Sequence, residues 1–149
     1  MIVKDVEIFV IDASLAVKWF FREPESEQAL RFLERFHLGE IRIVVPEMFY
    51  LETANACWKS IRRREIPVEV GMSYLDDLLD LSLETYSDRE LSDVALENSL
   101  RFNISVYDGA YLALAEVYVA PLVTADRALF NTCKNRFDFI EFLGDLKVN

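Results

Sequence analysis

The sequence predicts an α/β protein of three layers, an α/β/α sandwich in which helices cover both faces of a central parallel sheet. Short apolar segments rich in β-branched residues alternate along the chain with longer segments of helical periodicity. Neither a repeat, nor a linker, nor a break in composition interrupts this alternation. We therefore expect one domain that spans residues 1–149.

Five elements are predicted in the first half of the chain. In order, they are a strand at 7–14, a helix at 15–21, a helix at 26–38, a strand at 41–45 and a long helix at 47–64. Ser14 is expected to cap the first helix, and Gly39 to end the second. Pro46 suits the first turn of the long helix, where its missing N–H leaves no hydrogen bond unmade.

The second half repeats the alternation of helices and strands. A helix is predicted at 68–82, a short strand at 83–87, a helix at 88–103, a brief strand or extended loop at 104–107, a helix at 109–119, a strand at 121–125, a helix at 127–136 and a last strand at 137–143. Ser87 and Glu90 have the spacing of a capping box. Asp108 and Asp126 each open one of the later helices.

The composition excludes several classes of protein. Apolar residues make up 52 % of the chain, which is too many for a disordered protein. The 26 acidic and 16 basic side chains give a net charge of −10, which argues against nucleic-acid binding through charge alone. No apolar stretch reaches the ~20 residues of a membrane span, and charged residues interrupt the N-terminal segment, unlike in a signal peptide. We therefore expect a cytoplasmic protein without membrane contact.

Three acidic residues follow predicted strands or open helices at one edge of the sheet. Asp12 and Asp126 each end a strand, and Asp108 follows the segment 104–107. Because ligands of open parallel sheets bind outside the carboxyl ends of the strands, these carboxylates are candidate site residues. Each also has a structural interpretation, since Asp108 and Asp126 suit helix caps and Asp12 suits a turn braced by Ser14.

Glu52 is a fourth candidate because it shares a helix face with Met48, Phe49 and Ala56. A carboxylate on an apolar face is costly unless it is paired or binds a metal ion, so an ion pair with Lys59 or a nearby arginine is the alternative. The opposite face of this helix is also apolar and comprises Tyr50, Ala54, Cys57 and Ile61. This helix is therefore a candidate to be covered on two sides, by the core of the domain and by a partner subunit.

Four converging carboxylates repel one another, and a hard divalent cation relieves that repulsion. Ligation by oxygen alone fits Mg²⁺ or Mn²⁺. Zn²⁺ is disfavoured, because His37 is the one histidine of the sequence and Cys57 and Cys133 are far apart along it. We expect His37 to be a surface residue of its helix.

Segments spread over most of the chain resemble one known family. They are IDASLAVKWFFRE at 11–23, VPEMFYLETANACWK at 45–59 and SVYDGAYLALAEVYVAPLVTADRALF at 105–130. Together they resemble PIN-domain ribonucleases, specifically the VapC-like toxins of prokaryotic toxin–antitoxin pairs. The resemblance implies a Rossmann-like sandwich and a metal-dependent endoribonuclease that uses Mg²⁺ or Mn²⁺.

The resemblance also assigns roles to particular residues. The catalytic and metal-binding tetrad of the family falls on Asp12, Glu52, Asp108 and Asp126. Two hydroxyl residues that would orient these carboxylates fall on Ser14 and Thr124. Gly109 departs slightly from the family, which commonly has Ala there. The implied partners are an RNA substrate, a second copy of the chain in a homodimer, and a VapB-like antitoxin that places a basic side chain among the carboxylates.

Other classes of function fit the sequence less well. A phosphatase of the haloacid-dehalogenase type needs a second Asp where Ser14 stands, and a response-regulator receiver needs adjacent acids at the first strand. Two relatives of the favoured function stay open: a PIN nuclease that matures RNA without an antitoxin, and a PIN scaffold that binds without cleavage. A metal-dependent nuclease assay would distinguish the scaffold from a nuclease. A short upstream gene for an antitoxin would distinguish a toxin from the maturation enzyme.

Overall fold

A computed structural model describes residues 5–147, so the outermost residues of the domain expected at 1–149 lie outside it. Its five strands form one parallel sheet in the order β3-β2-β1-β4-β5. The strands are β1 (Glu7–Ile11), β2 (Ile41–Pro46), β3 (Glu84–Tyr86), β4 (Leu122–Thr124) and β5 (Ile140–Phe142). Val10 of β1 is in register with Val44 of β2 and Leu122 of β4, so β1 is the central strand.

Seven α-helices and a short 3-10 helix complete the described part of the chain. They are α1 (Ala13–Phe20), α2 (Ser26–His37), α3 (Met48–Arg62), α4 (Val68–Leu79), α5 (Asp88–Phe102), α6 (Val106–Tyr118), α7 (Arg127–Cys133) and the 3-10 helix Leu143–Asp145. Within residues 5–147, no helix is both long and apolar enough to cross a membrane.

Alternate residues of the central strand face the two helical layers. Val10 packs in a core formed with α5, α6 and α7, whereas Phe9 and Ile11 pack in a second core with α1, α2, α3 and α4. Each side chain of a strand points opposite to the next, so a strand covered on both faces is apolar throughout. The expected three-layer α/β/α sandwich with a parallel sheet is therefore confirmed.

The order of the elements agrees with the sequence prediction, but several boundaries were wrong. Ser14 does not cap α1; Asp12 does, and its carboxylate accepts a hydrogen bond from the Leu15 N–H at 3.3 Å. Pro46 is the last residue of β2 rather than part of α3, because it continues the parallel pairing opposite Tyr86.

Two further differences concern the later helices. Residues 104–107 form no strand, because Val106 and Tyr107 already belong to α6 and Ser105 accepts a hydrogen bond from the Asp108 N–H at 3.0 Å. Asp108 therefore lies in the first turn of α6 instead of capping it. Ser87 precedes α5, yet its side chain makes no capping bond, so the predicted capping box does not form.

Candidate active site

Asp12 lies at the carboxyl end of the central strand, where the polypeptide passes from β1 into α1. Its side chain is buried, with 4 % of the residue exposed. Ser14 Oγ donates to Asp12 Oδ1 at 2.5 Å, and Thr124 Oγ1 donates to Asp12 Oδ2 at 2.5 Å. Both carboxylate oxygens are thus occupied by hydroxyl donors, which fixes the carboxylate plane.

The same two hydroxyls connect Asp12 to the end of β4. The Ala125 N–H donates to Ser14 Oγ at 3.0 Å, and the Asp126 N–H donates to Thr124 Oγ1 at 3.0 Å. Ser14 and Thr124 therefore link the turn after β1 to the turn after β4. Because neighbouring parallel strands end at the same edge, this link places Asp12 and Asp126 on one rim.

Asp126 fulfils the structural role that the sequence suggested for it. Its carboxylate accepts a hydrogen bond from the Leu129 N–H at 3.1 Å and so caps α7. The residue is exposed at the rim. A cap uses one carboxylate oxygen, so the second oxygen stays free for another partner.

Asp108 is half-buried in the first turn of α6, and its position depends on close packing between α5 and α6. Asn98 of α5, itself buried, donates from Nδ2 to the Gly109 carbonyl at 3.0 Å. A Cβ on Gly109 would lie 2.3 Å from the Ala95 carbonyl oxygen, so glycine permits this approach. Asn98 was not predicted from the sequence, since its distance from Asp108 along the chain gives no signal.

Glu52 is half-buried on α3 and is held by a residue that sequence reasoning missed. Tyr111 Oη donates to Glu52 Oε1 at 2.7 Å, and Tyr111 is 1 % exposed. Among residues 5–147 no ion pair joins Glu52 to Lys59 or to an arginine, so that alternative was wrong. Tyr111 follows Asp108 by one helical turn, which is the signal that could have identified it.

The carboxyl groups influence one another's protonation. Burial raises the pKa of Asp12 to about 6, against the opposing effect of hydrogen bonds from Ser14 and Thr124, and the charge of Asp108 adds to the rise. Burial also raises the pKa of Glu52 and that of Asp108; Asp108 contributes to the former and Asp126 to the latter. The four carboxyl groups therefore share one electrostatic environment.

In the part of the chain that the structure describes, no basic side chain forms an ion pair with these carboxylates. In the same part of the chain, no three His, Cys, Asp or Glu side chains are grouped so that they could hold a metal ion together. Mg²⁺ usually keeps several waters and contacts only one or two carboxylates directly, so this oxygen-only set fits Mg²⁺ or Mn²⁺. His37 is exposed on α2, as expected.

Carboxylates at the carboxyl edge of a parallel sheet occur in several classes of protein, and comparison with known proteins identifies the family. The family model of the PIN domain matches residues 9–135. The chain therefore belongs to the PIN-domain family, and the resemblance noted from the sequence is confirmed.

Curated relatives within this family are VapC ribonucleases. The chain is 32 % identical over 122 residues to ribonuclease VapC3 of Pyrobaculum aerophilum, a match that covers 80 % of this chain and 90 % of the relative. It is 30 % identical over 122 residues to ribonuclease VapC12 of Mycobacterium tuberculosis, with 82 % and 89 % covered.

Solved structures agree on the fold. A crystal structure of a Pyrobaculum aerophilum protein matches with a TM-score of 0.69 and 22 % identity, covering 93 % of this chain and 84 % of that one. VapBC2 from Rickettsia felis, crystallised on a DNA fragment from its promoter, matches with a TM-score of 0.65 and 19 % identity, covering 91 % and 98 %.

Proposed function

We propose that the protein is a metal-dependent endoribonuclease and the toxin of a toxin–antitoxin pair. The observation that carries this proposal is the buried Asp12 carboxylate, which is held by two hydroxyls and feels the charge of Asp108. Asp108 in turn interacts with Glu52 and Asp126, and none of the four forms an ion pair among residues 5–147. The names of the relatives, ribonucleases VapC3 and VapC12, supply the reaction and the substrate class.

The residues of the rim have distinct roles in this proposal. Asp12 and Asp108 are the foremost candidates to contact Mg²⁺ or Mn²⁺ directly, and Glu52 and Asp126 are the further candidates, for which waters of the ion would bridge the distance. The ion, when bound, activates water and neutralises charge on the phosphodiester. Ser14 and Thr124 orient the Asp12 carboxylate, and Tyr111 orients Glu52.

Substitution of Asp12 tests the proposal. Asp12→Asn keeps the size of the side chain and removes its charge, so we expect a folded protein whose RNA cleavage in Mg²⁺ or Mn²⁺ is lost. Asp76→Asn, an exposed position on α4, is the matched control and should cleave as the wild type does. Equal cleavage by Asp12→Asn, in a preparation free of contaminating nuclease, would contradict the assignment.

The two other PIN functions lead to different outcomes. A non-catalytic scaffold would bind RNA and leave it intact at every metal concentration. A maturation nuclease would cleave RNA but would bind no partner encoded beside it. The intact set of carboxylates favours catalysis over the scaffold.

A homodimer is the second part of the proposal, and exposed apolar residues support it. On α3, Leu51 is 76 % exposed and Trp58 is 51 % exposed, seven residues apart and therefore on one face. It differs from the second apolar face noted in the sequence, which contains Cys57; there Cys57 is buried within the monomer. Sedimentation should show a dimer at micromolar concentration, which Leu51→Glu weakens; a strict monomer for the wild type would contradict the dimer.

An antitoxin is the third part, and the acidic rim is the surface that favours it. A basic side chain placed among Asp12, Glu52 and Asp108 would compete with a metal ion and with phosphate for the same carboxylates. We expect a basic antitoxin tail to bind there, and we expect salt to weaken this binding. An affinity for the antitoxin tail that did not change on charge reversal at these carboxylates would contradict this part of the proposal.

A further inference from the structure

Two arginines share one aromatic ring near Asp108. Arg101, in the last turn of α5, places its guanidinium carbon 4.6 Å from the ring centroid of Phe102, and Arg136, beyond the end of α7, places its own 4.9 Å from the same centroid. The two charges therefore lie within about 10 Å of each other, about one Debye length at 0.1 M salt. Salt leaves part of their mutual repulsion unscreened.

Backbone carbonyl groups hold this pair in place. Arg101 Nη2 donates to the Arg136 carbonyl at 2.7 Å, and Arg136 Nη2 donates to the Arg101 carbonyl at 2.9 Å. The ion pairs among residues 5–147 use Lys18, Arg31, Arg35 and Arg42, but neither of these two. Both arginines are exposed, and each guanidinium has five N–H donors, so most of its donors remain for an external anion.

The pair lies next to the candidate active site. Arg101 follows Asn98 by one helical turn, and Asn98 contacts the Gly109 carbonyl directly after Asp108. The Cys133 thiol, at the end of α7, is influenced by Asp108 and by both arginines, which shows that these groups are close to one another. Burial and the charge of Asp108 raise the pKa of the Cys133 thiol to about 11, while Arg136 and Arg101 act in the opposite direction. One buried thiol is therefore within reach of both the carboxylate and the two arginines.

We propose that Arg101 and Arg136 together bind a backbone phosphate of the RNA substrate, adjacent to the phosphate that is cleaved. The inference rests on the proposed ribonuclease function. A phosphodiester matches the planar fork of each guanidinium and relieves the repulsion between them. It would also give a chain of net charge −10 a local pair of cations, beside the carboxylates, to which a polyanion can bind.

Binding is measured in the Asp12→Asn background, by fluorescence anisotropy of a labelled single-stranded RNA over a series of salt concentrations. We expect Arg101→Gln and Arg136→Gln each to weaken RNA binding about tenfold, as loss of a charged hydrogen bond predicts. Because the two arginines share one phosphate, the double variant should lower the slope of log Kd against log salt by about 0.7, the value for one phosphate contact on a single strand.

Two sets of variants control for charge and for folding. Lys134→Gln removes the same charge from the neighbouring Lys134, whose ammonium lies 5.7 Å from the Phe130 ring, and should leave RNA binding unchanged. Arg101→Lys and Arg136→Lys keep the charge and lose the planar fork, so they should keep most of the salt slope and lose part of the affinity. Thermal melts establish that each variant is folded.

Unchanged RNA affinity in both folded arginine variants would overturn the inference. Equal loss of binding to polyglutamate and to RNA would also overturn it, since the pair would then serve an acidic protein segment. Because binding is measured without cleavage, an inactive wild type that binds RNA through these arginines would contradict the proposed function and the placement beside a cleaved phosphate. The assignment of the two arginines as a phosphate-binding site would then still be supported.

Discussion

At Asp12, burial and hydrogen bonding act in opposite directions on one carboxyl group. Burial favours the protonated form, and the bonds from Ser14, Thr124 and the Leu15 N–H favour the ionised form. Burial has the larger effect, so the pKa in the folded protein is about 6 rather than the usual 3.8. The folded state therefore binds this proton more tightly than the unfolded state does.

This shift predicts a pH dependence of stability. The contribution of Asp12 to folding is fully present below pH 3.8 and is lost as the pH rises through about 6. Without metal, the free energy of unfolding of the wild type should therefore fall by about 2 kcal/mol relative to Asp12→Asn between pH 4 and pH 7. Urea denaturation in a chelator measures this difference, and a difference independent of pH would contradict it.

Tyr111 provides a second prediction at the scale of one side chain. Burial and the neighbouring Glu52 charge raise the pKa of its hydroxyl well above the usual value, so the hydroxyl stays protonated and donates to Glu52. Tyr111→Phe should lower kcat for RNA cleavage about tenfold and stability by about 1 kcal/mol.

Tyr50→Phe is the matched control, because Tyr50 Oη lies 3.2 Å from Thr85 Oγ1 and so pairs with a hydroxyl rather than with one of the four carboxylates. It should lose some stability and keep its kcat. If both variants lost kcat in proportion to their stability, Tyr111 would be a structural residue only.

Among the elements, the close packing of α5 against α6 requires that Gly109 has no Cβ. Gly109→Ala would place its Cβ 2.3 Å from the Ala95 carbonyl oxygen, so the two helices must move apart. We expect a loss of about 1–3 kcal/mol in stability, the usual effect of overpacking. Because Asp108 precedes this glycine, RNA cleavage should fall as well.

Gly39→Ala separates the two effects. Gly39 has a φ of +72° and no atom within contact of an added Cβ, so alanine there costs about 1 kcal/mol through backbone strain alone. Stability should fall and cleavage should stay unchanged. Full activity of Gly109→Ala at a temperature where it is folded would show that Asp108 tolerates the helix movement.

Across the whole molecule, the repulsion among the rim carboxylates opposes folding, and a bound cation would relieve it. Mg²⁺ or Mn²⁺ at about ten times its Kd should stabilise the wild type by about 1.4 kcal/mol, or about 3 °C in Tm. Asp108→Asn should respond less to metal, and its metal-free form should be at least as stable as the wild type. Calorimetric melts at matched ionic strength check this, with Asp76→Asn as the control that should respond fully.

The sequence alone was enough for the layers of the fold and for the set of carboxylates. Apolar β-branched runs and helical periodicity are local patterns, so β1, β2 and the order of the helices could be predicted from them. Asp12, Asp126 and Asp108 could be selected because the carboxyl edge of a parallel sheet is a consequence of topology. Glu52 could be selected because its helix face is apolar.

The tertiary structure alone decided the partners of those carboxylates. Thr124 reaches Asp12 across 112 positions of the chain, and Tyr111 reaches Glu52 across 59. Local boundaries also depended on distant contacts, since Pro46 stays in β2 because Tyr86 pairs with it. Hydrogen bonds between residues far apart in sequence form only where packing brings backbones together, and no local pattern encodes that distance. The residue types of the site were therefore determined by the sequence, and their contacts by the fold.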